Sequence, residues 1–215
     1  MTMLQLNRLH YPVTTLGPGV RAGVWVQGCP IGCRGCMATD TWDADRRHEI
    51  DVVEVLSWLA TLEPFDGVTI SGGEPFEQPV AVGELIDGIR HARPDADILT
   101  YSGYPFSVLE RRPTARALLD RCDAVITGPY VARLNPGARW RGSSNQRLVV
   151  LSERGRKRFA GSEVEQTDAH GPNLQAMFDG MRLRIVGVPR RGELERLEAE
   201  LTSVGLSMDG VSWRG

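Results

Sequence analysis

A chain of 215 residues that is 41% hydrophobic and 24% charged can bury the core of one domain and is too apolar for disorder. Its 25 Lys and Arg against 27 Asp and Glu give a net charge of -2, which supplies neither a basic patch for nucleic acid nor an acidic solvating tail. No apolar run approaches the ~20 residues that cross a bilayer, and residues 1–13 lack the charged start and apolar stretch of a secretory signal. The expectation is a soluble, cytoplasmic protein with no membrane and no nucleic-acid partner.

In chain order, residues 20–27 (VRAGVWVQ) read as a strand that runs into a cysteine-bearing loop. Val52, Val55, Leu56, Leu59 and Leu62 recur at helical spacing and predict a helix over 50–62. A short strand follows at 67–70, closed by Ser71-Gly72-Gly73. Val80, Leu85, Ile86 and Ile89 predict a helix over 78–91, and 98–101 reads as the next strand. The stretch 106–121 is helical in pattern, with Pro113 set to break or kink it. Strands are expected at 124–127 and 147–151, on either side of a loop carrying Gly, Pro and Asn. Alternating strands and helices imply an α/β fold with a mainly parallel sheet, curled by right-handed crossovers into an open or partial barrel.

From 152 to 172 the composition turns polar and reads as a linker or long loop. Residues 174–178 and 181–186 flank Asp179-Gly180, a hairpin signal. Leu194, Leu197, Leu201 and Val204 then mark an amphipathic helix ending near Gly205. The division is therefore a core at 1–151 and a C-terminal extension, hairpin plus helix, at 152–215.

Of the four cysteines, Cys29, Cys33 and Cys36 lie within eight residues on the run Gly28-Cys29-Pro30-Ile31-Gly32-Cys33-Arg34-Gly35-Cys36. Clustered thiols in a reducing compartment read as metal ligands rather than disulfides. Three soft ligands at C-x3-C-x2-C spacing can take three corners of a cubane iron–sulfur cluster and leave one iron open for another ligand. A structural zinc site is the alternative; it needs a fourth ligand, for which His48 is the nearest candidate. Further on, Gly72-Gly73-Glu74-Pro75 combines close backbone approach with a carboxylate able to accept from an ammonium group.

Together the two motifs resemble the cysteine loop and GGEP element of radical S-adenosylmethionine (SAM) enzymes, whose fold is a partial (β/α) barrel. Tyr11-Pro12-Val13, Gly17-Pro18-Gly19, Cys36 to Trp42, Tyr101 to Tyr104, Thr127-Gly128-Pro129-Tyr130 and Trp140-Arg141-Gly142-Ser143-Ser144-Asn145-Gln146 narrow the resemblance. They are similar to the activating enzymes of anaerobic (class III) ribonucleotide reductase, over about residues 10–150. The resemblance implies a [4Fe-4S] cluster on Cys29, Cys33 and Cys36, with SAM as second cofactor. It implies SAM contacts from Gly35, Met37, Gly72, Gly73, Glu74, Ser102, Ser143 and Asn145. It also implies a radical SAM oxidoreductase that cleaves SAM to a 5′-deoxyadenosyl radical and installs a glycyl radical on a partner. That partner is a glycyl-radical enzyme such as anaerobic ribonucleotide reductase, and the electron comes from a low-potential donor such as a flavodoxin. Direct modification of a small molecule or peptide is the alternative.

Three departures stand out. Met37 and Ala38 replace a Tyr-Asn pair frequent in activases, Thr127 stands where Asp is frequent, and 65 residues follow position 150. Cys122, Trp25 and Trp58 are expected in the core. Trp42 and Trp140 are expected around the active cavity, and His10, His48, His91 and His170 at the surface. Arg154, Arg156, Lys157 and Arg158 read as a solvated loop.

Overall fold

The computed structural model describes residues 1–135, 139–161, 173–178, 183–207 and 211. A long first strand, β1 (Met3–Val13), pairs antiparallel with β2 (Arg21–Val26). Next come β3 (Glu49–Asp51), α1 (Val52–Ala60), β4 (Gly67–Gly72), α2 (Pro79–Ala92) and β5 (Asp97–Ser102). They are followed by α3 (Phe106–Leu109), α4 (Pro113–Leu119), β6 (Ala124–Thr127), β7 (Arg147–Val150) and α5 (Glu153–Arg158). The chain closes with β8 (Leu174–Phe178), β9 (Leu183–Gly187) and α6 (Glu193–Ser203).

Seven strands form one sheet in the order β3-β1-β2-β4-β5-β6-β7. The middle four, β2, β4, β5 and β6, are parallel and lie in sequence order. Each is joined to the next by a helical crossover, and same-handed crossovers between sequential neighbours put their helices on one face. On that face Val24, Val68, Ile70, Ile98 and Val125 meet Val55 and Leu59 of α1, Leu85, Ile86 and Ile89 of α2, and Leu118 of α4 in one buried cluster. Because side chains alternate along a strand, Trp25, Leu99, Ala124 and Ile126 point to the opposite, inner face.

At the N-terminal ends of the parallel strands the inner face carries a buried ion pair. Arg21 Nη2 lies 2.6 Å from Asp97 Oδ1, with both side chains wholly buried. Arg21 Nε donates to Thr69 Oγ1 at 2.6 Å and Nη2 to the Val68 carbonyl at 2.9 Å. Every donor of this guanidinium is met inside the fold, which is the condition for a charge to remain in a core.

Several expectations are revised. The centre of the sheet is parallel as expected, but its edges are not, because β1, β3 and β7 all run antiparallel to their neighbours. β1 was not foreseen: only Leu4, His10 and Val13 in it are fully buried, so its polar residues mask the alternation. The expected 50–62 helix starts at Val52, where the Asp51 side chain caps it by accepting from Val53 N, while Glu49–Asp51 forms β3. Pro113 divides 106–121 into α3 and α4, starting α4 at a position where its missing N–H costs nothing.

The expected linker at 152–172 begins instead with α5, N-capped by Ser152, whose Oγ accepts from Gly155 N at 2.9 Å. Arg154 and Arg158 are not free in solvent; they pair with Asp123, and with Asp66 and Asp97. Residues 162–172, including His170, lie outside the described residues, as do the Asp179-Gly180 turn, Met181 and Trp213. His10 is 5% exposed, not a surface group, and meets Trp25 edge-on at 4.8 Å. Cys122 is buried, and burial pushes its thiol up to about 12.

Strands β8 and β9 pair antiparallel with each other in a sheet separate from the main one. Val186, with Met177 and Val188, packs onto Val13, Leu16, Trp25 and Tyr101 of the inner face. Thr15 Oγ1 donates to the Val186 carbonyl at 3.1 Å, and Gln175 Nε2 to the Pro12 carbonyl at 2.7 Å. The extension therefore covers the inner face rather than lengthening the sheet. No described helix is long and apolar enough to cross a membrane.

Candidate metal centre

The cysteine loop, Gly72 to Glu74, Ser102 and Gly128 to Tyr130 gather at the C-terminal ends of the parallel strands, where α/β folds place their sites, whereas Tyr11 to Val13 and Gly17 to Gly19 lie at the N-terminal end of β2. The cysteine loop leaves β2, Gly72-Gly73-Glu74 leaves β4, Ser102 ends β5 and Gly128-Tyr130 leaves β6. The cysteine loop is an excursion with a closed base. Gly28 N donates to the Thr41 carbonyl and Cys29 N to the Trp42 carbonyl, both at 2.8 Å. Gln27 Nε2 donates to the Asp43 carbonyl at 2.6 Å, and Gln78 Nε2 donates to the Gln27 carbonyl at 2.9 Å. The Cys36 to Trp42 run thus serves to shut the loop.

From the other side, Gly73 N donates to the Val26 carbonyl and Glu74 N to the Gly28 carbonyl, both at 2.8 Å. This contact demands glycine. At Gly72, φ is +96° and a Cβ would stand 2.6 Å from the Val26 oxygen; at Gly73 it would stand 2.8 Å from the Gly28 carbonyl carbon.

Glu74 is 1% exposed. Its Oε1 accepts from Phe76 N and Ser102 Oγ, both at 3.0 Å, and Oε2 accepts from Gly103 N at 2.8 Å. Burial pushes this carboxyl up to about 7, opposed by those three hydrogen bonds. Ser102 Oγ is itself engaged, accepting from Tyr104 N at 3.0 Å. Glu74 and Ser102 therefore tie the end of β4 to the end of β5, and one acceptor position remains on Oε2.

The three cysteines are free and half-buried. Burial raises the Cys29 and Cys33 thiols; Glu74 and Cys36 raise Cys29 further, and Cys36, Cys29 and Glu74 raise Cys33 further. Backbone N–H groups oppose this, those of Gly32 and Ile31 at Cys29 and that of Tyr130 at Cys33. Ala38 N donates to Cys36 Sγ at 3.4 Å. Cys36 Sγ is thus supplied with an amide donor suited to a thiolate.

Among the described residues no three His, Cys, Asp or Glu side chains converge on a single-ion site. That is not the geometry of a zinc centre, and His48 is turned to the Leu6 carbonyl at 3.1 Å. A cubane asks for something else: soft thiolates on one loop at separate positions, one per iron corner, which is the donor set present here.

Gly35 is exposed at φ +80°, and a Cβ there would meet Ala132 at 3.4 Å and the Tyr130 ring at 3.7 Å. Met37 is half-buried beside it in sequence. Ser143 is fully buried and its Oγ accepts from Val131 N at 3.1 Å; exposed Asn145 donates from Nδ2 to the Pro129 carbonyl at 2.8 Å. Both bind the backbone next to Tyr130. Trp140 is buried against Phe159, Leu99 and Ile126, its carbonyl accepting from Tyr101 Oη at 2.9 Å.

Sequence reasoning missed Gln78 and Gln146. Gln146 Oε1 accepts from Gly142 N at 2.8 Å and Ser143 N at 3.2 Å, while Nε2 donates to the Gly128 carbonyl at 3.0 Å. Its place in the Ser143 to Gln146 run was the available signal; Gln78, next to Pro79, offered none.

Residues 15–149 match the family described as a 4Fe-4S single cluster domain. The anaerobic ribonucleoside-triphosphate reductase-activating protein of Vibrio cholerae is 31% identical over 64% of this chain and 92% of its own length. The proteins of the same name from Escherichia coli K12 and phage T4 are each 30% identical, over 64% and 61% of this chain and 93% and 85% of theirs. The chain belongs to this family of reductase-activating proteins. It is a radical SAM enzyme with a 4Fe-4S single cluster domain, and its cofactors are a [4Fe-4S] cluster and S-adenosylmethionine. The crystal structure of QueE from Escherichia coli is 16% identical over 48% of this chain and 54% of that one, with a TM-score of 0.41, a likeness too distant to decide anything. The relatives are matched almost end to end while a third of this chain is left over, so the extension has no counterpart in the matched lengths.

Proposed function

We propose that this activase-family enzyme cleaves S-adenosylmethionine reductively and uses the product radical to take a hydrogen from a glycine Cα in a partner enzyme, as in anaerobic ribonucleotide reductase. The observation that carries the reading is the set of three free thiols on the loop after β2, clasped at its base by Gly73 and Glu74. Cys29, Cys33 and Cys36 would hold three iron corners and leave the fourth open to the amino and carboxylate groups of SAM. When bound and reduced, the cluster supplies the electron that breaks a carbon–sulfur bond of SAM, giving methionine and a 5′-deoxyadenosyl radical. A low-potential donor such as a flavodoxin would provide that electron in the reducing cytoplasm.

The chain's own residues then bind and orient. Gly72 and Gly73 would let backbone approach the methionine end of SAM, and the remaining acceptor position on Glu74 Oε2 would meet its ammonium. Ser102 would act beside it through Glu74. Gly35 and Met37 would border the adenine, while Ser143 and Asn145 would brace that rim. The parallel strands would be the wall of a partial (β/α) barrel within a core at 1–151, and residues 152–215 an added unit of paired strands and helix.

The test is anaerobic. The protein is reconstituted with iron and sulfide, reduced with dithionite and given SAM, with and without an anaerobic ribonucleotide reductase. 5′-Deoxyadenosine together with a glycyl doublet in the paramagnetic resonance spectrum of the reductase is the expected result, and Cys33→Ala abolishes both. 5′-Deoxyadenosine with no doublet on any glycyl-radical protein moves the reading to direct modification of a small molecule or peptide. A fully loaded, reducible cluster that cleaves no SAM overturns it.

A further inference from the structure

The segment that joins β6 to β7 lies against the cysteine loop. A Cβ on Gly35 would meet Ala132 at 3.4 Å, one on Gly142 would meet the Tyr130 ring at 2.8 Å, and Ser144 N donates to the Leu134 carbonyl at 2.8 Å. Its charge is one-sided. Residues 124–152 hold four Arg and no Asp or Glu, in a chain whose net charge is -2. Arg133, Arg139 and Arg147 are exposed, Arg141 is half-buried, and exposed Arg34 joins them from between Cys33 and Cys36. Arg147 stands opposite Thr127, at the C-terminal end of β6. Among the described residues none of these five forms an ion pair; Arg139 stacks on the Trp140 ring at 4.4 Å, and Arg141 Nη1 donates to the Gln146 carbonyl at 3.3 Å. Arginines elsewhere do find carboxylates, Arg112 at Glu77, Arg116 at Asp120 and Arg121 at Asp87. At the base of the cysteine loop Asp40 is taken by Arg8 and Asp45 by Arg47, which sets exposed Asp43 against five guanidinium groups.

We infer that the rim of Arg34, Arg133, Arg139, Arg141 and Arg147 is the docking surface for an acidic protein that carries a single low-potential electron to the cluster. The inference rests on the reading of Cys29, Cys33 and Cys36 as ligands of a reducible [4Fe-4S] cluster. Unpaired guanidinium groups around one opening attract carboxylates and raise the on-rate of an oppositely charged protein. Arg34 lies on the ligand loop itself, so a protein resting on this rim brings its redox group beside the cysteine sulfurs. The rim also suits a transient visitor better than a stably bound enzyme. None of the large exposed hydrophobics among the described residues, which include Val53, Val80 and Leu183, lies on the cysteine loop or between β6 and β7. Stable interfaces are anchored by buried aromatic and apolar side chains, whereas electron-transfer encounters bury little area. In the transfer the carrier is oxidised by one electron and the cluster reduced by one, with no bond made or broken.

The experiment compares electron donors on the reconstituted full-length protein. Stopped-flow absorbance follows reduction of the cluster by flavodoxin hydroquinone, an acidic carrier, across a salt series. Arg133→Glu combined with Arg147→Glu, which leaves the ligand loop untouched, is expected to slow that reduction about tenfold at low salt, and the gap should close as salt screens the charges. Calorimetric binding of oxidised flavodoxin, which passes no electron, should weaken by about the same factor. The corresponding double alanine variant, without the new charges, should lie between. Lys157→Glu, the same change of charge on α5, whose Arg158 reaches Asp97 at the opposite end of the sheet, should behave as wild type. So should every variant when light and 5-deazariboflavin, a small uncharged donor, supply the electron. Flavodoxin rates and affinities unchanged in the double variants overturn the inference and leave the activase reading intact. So does a double variant that keeps its flavodoxin rate but no longer binds anaerobic ribonucleotide reductase, since the rim then serves the reductase. A rate lost equally with 5-deazariboflavin overturns it as well, because the change then lies in the cluster. A wild-type protein that takes up no [4Fe-4S] cluster overturns the activase reading itself.

Discussion

Gly73→Ala tests the contact on which the whole site is built. A Cβ at position 73 would stand 2.8 Å from the Gly28 carbonyl carbon, whereas ordinary contact begins at 3.4 Å. The ends of β2 and β4 must therefore part by at least 0.6 Å, and the obstacle is backbone, which has no rotamer to turn away. Overpacking of this kind costs about 1–3 kcal/mol. The same movement strains the bonds from Gly73 N to Val26 and from Glu74 N to Gly28, each with a net worth of about 0.5–1.5 kcal/mol. The total is about 2–6 kcal/mol, or a fall in melting temperature of about 4–24 °C at about 2–4 °C per kcal/mol for a chain of this size. Because Gly28 precedes Cys29, uptake of iron and sulfide should fall as well. Gly32→Ala is the control: φ is +57° there, but a Cβ would meet nothing within 4 Å, so only the left-handed backbone cost of about 1–2 kcal/mol applies. Calorimetry of the apo-proteins and absorbance of the reconstituted ones read both effects. A Gly73→Ala protein that melts and loads like wild type, or a Gly32→Ala protein damaged equally, would refute the reasoning.

Three further outcomes are expected. Arg21→Met should cost about 3–5 kcal/mol in urea unfolding, since it strands the buried Asp97 carboxylate with only Arg158 at 3.4 Å to answer it; a loss below 1 kcal/mol would show the pair to be idle. In the apo-protein, the raised Glu74 pKa means that the folded state keeps this proton up to about 7 while the unfolded state releases it near 4.5. This group's favourable share is full below 4.5 and is lost as pH rises to 7, so the stability of Glu74→Gln relative to wild type should rise across that window, and a flat difference contradicts it. Val186→Asp, placing a charge between Val13, Leu16 and Trp25, should open 173–178 and 183–187 to limited proteolysis ahead of the core, and an unchanged cleavage pattern would mean that the contact does not hold the extension.

The sequence made the parallel core and the chemistry legible for identifiable reasons. β4, β5 and β6 show as apolar runs because both their faces are covered, and α2 shows because Leu85, Ile86 and Ile89 all face one cluster. The cysteine spacing and the paired glycines are short-range patterns that need no tertiary context. β1 was not legible, since its burial is irregular and its partner lies beyond a loop of glycine and proline. The antiparallel direction of β7 depends on how the loop from 128 to 146 turns, and that loop is set by side-chain bonds from Gln146 and Asn145 rather than by local propensity. His10 reads as a polar residue among polar neighbours, and only the fold reveals Trp25 against it. The internal engagement of Glu74 was equally hidden, because Ser102 and Gly103 lie a whole βα unit away.

The seating of β9 on the inner face has a consequence for how the chain is made. Thr15 and Val186, which share a hydrogen bond, are 171 residues apart. During synthesis the first strands emerge long before their cover exists, so Leu16, Trp25 and Tyr101 present an apolar face to the cell until β9 has been added. Contacts of such sequence separation close slowly because the loop entropy is paid before the contact rewards it. A nascent or prematurely ended chain is therefore a natural client for chaperones, and the extension sets the moment at which the folded protein stops being one.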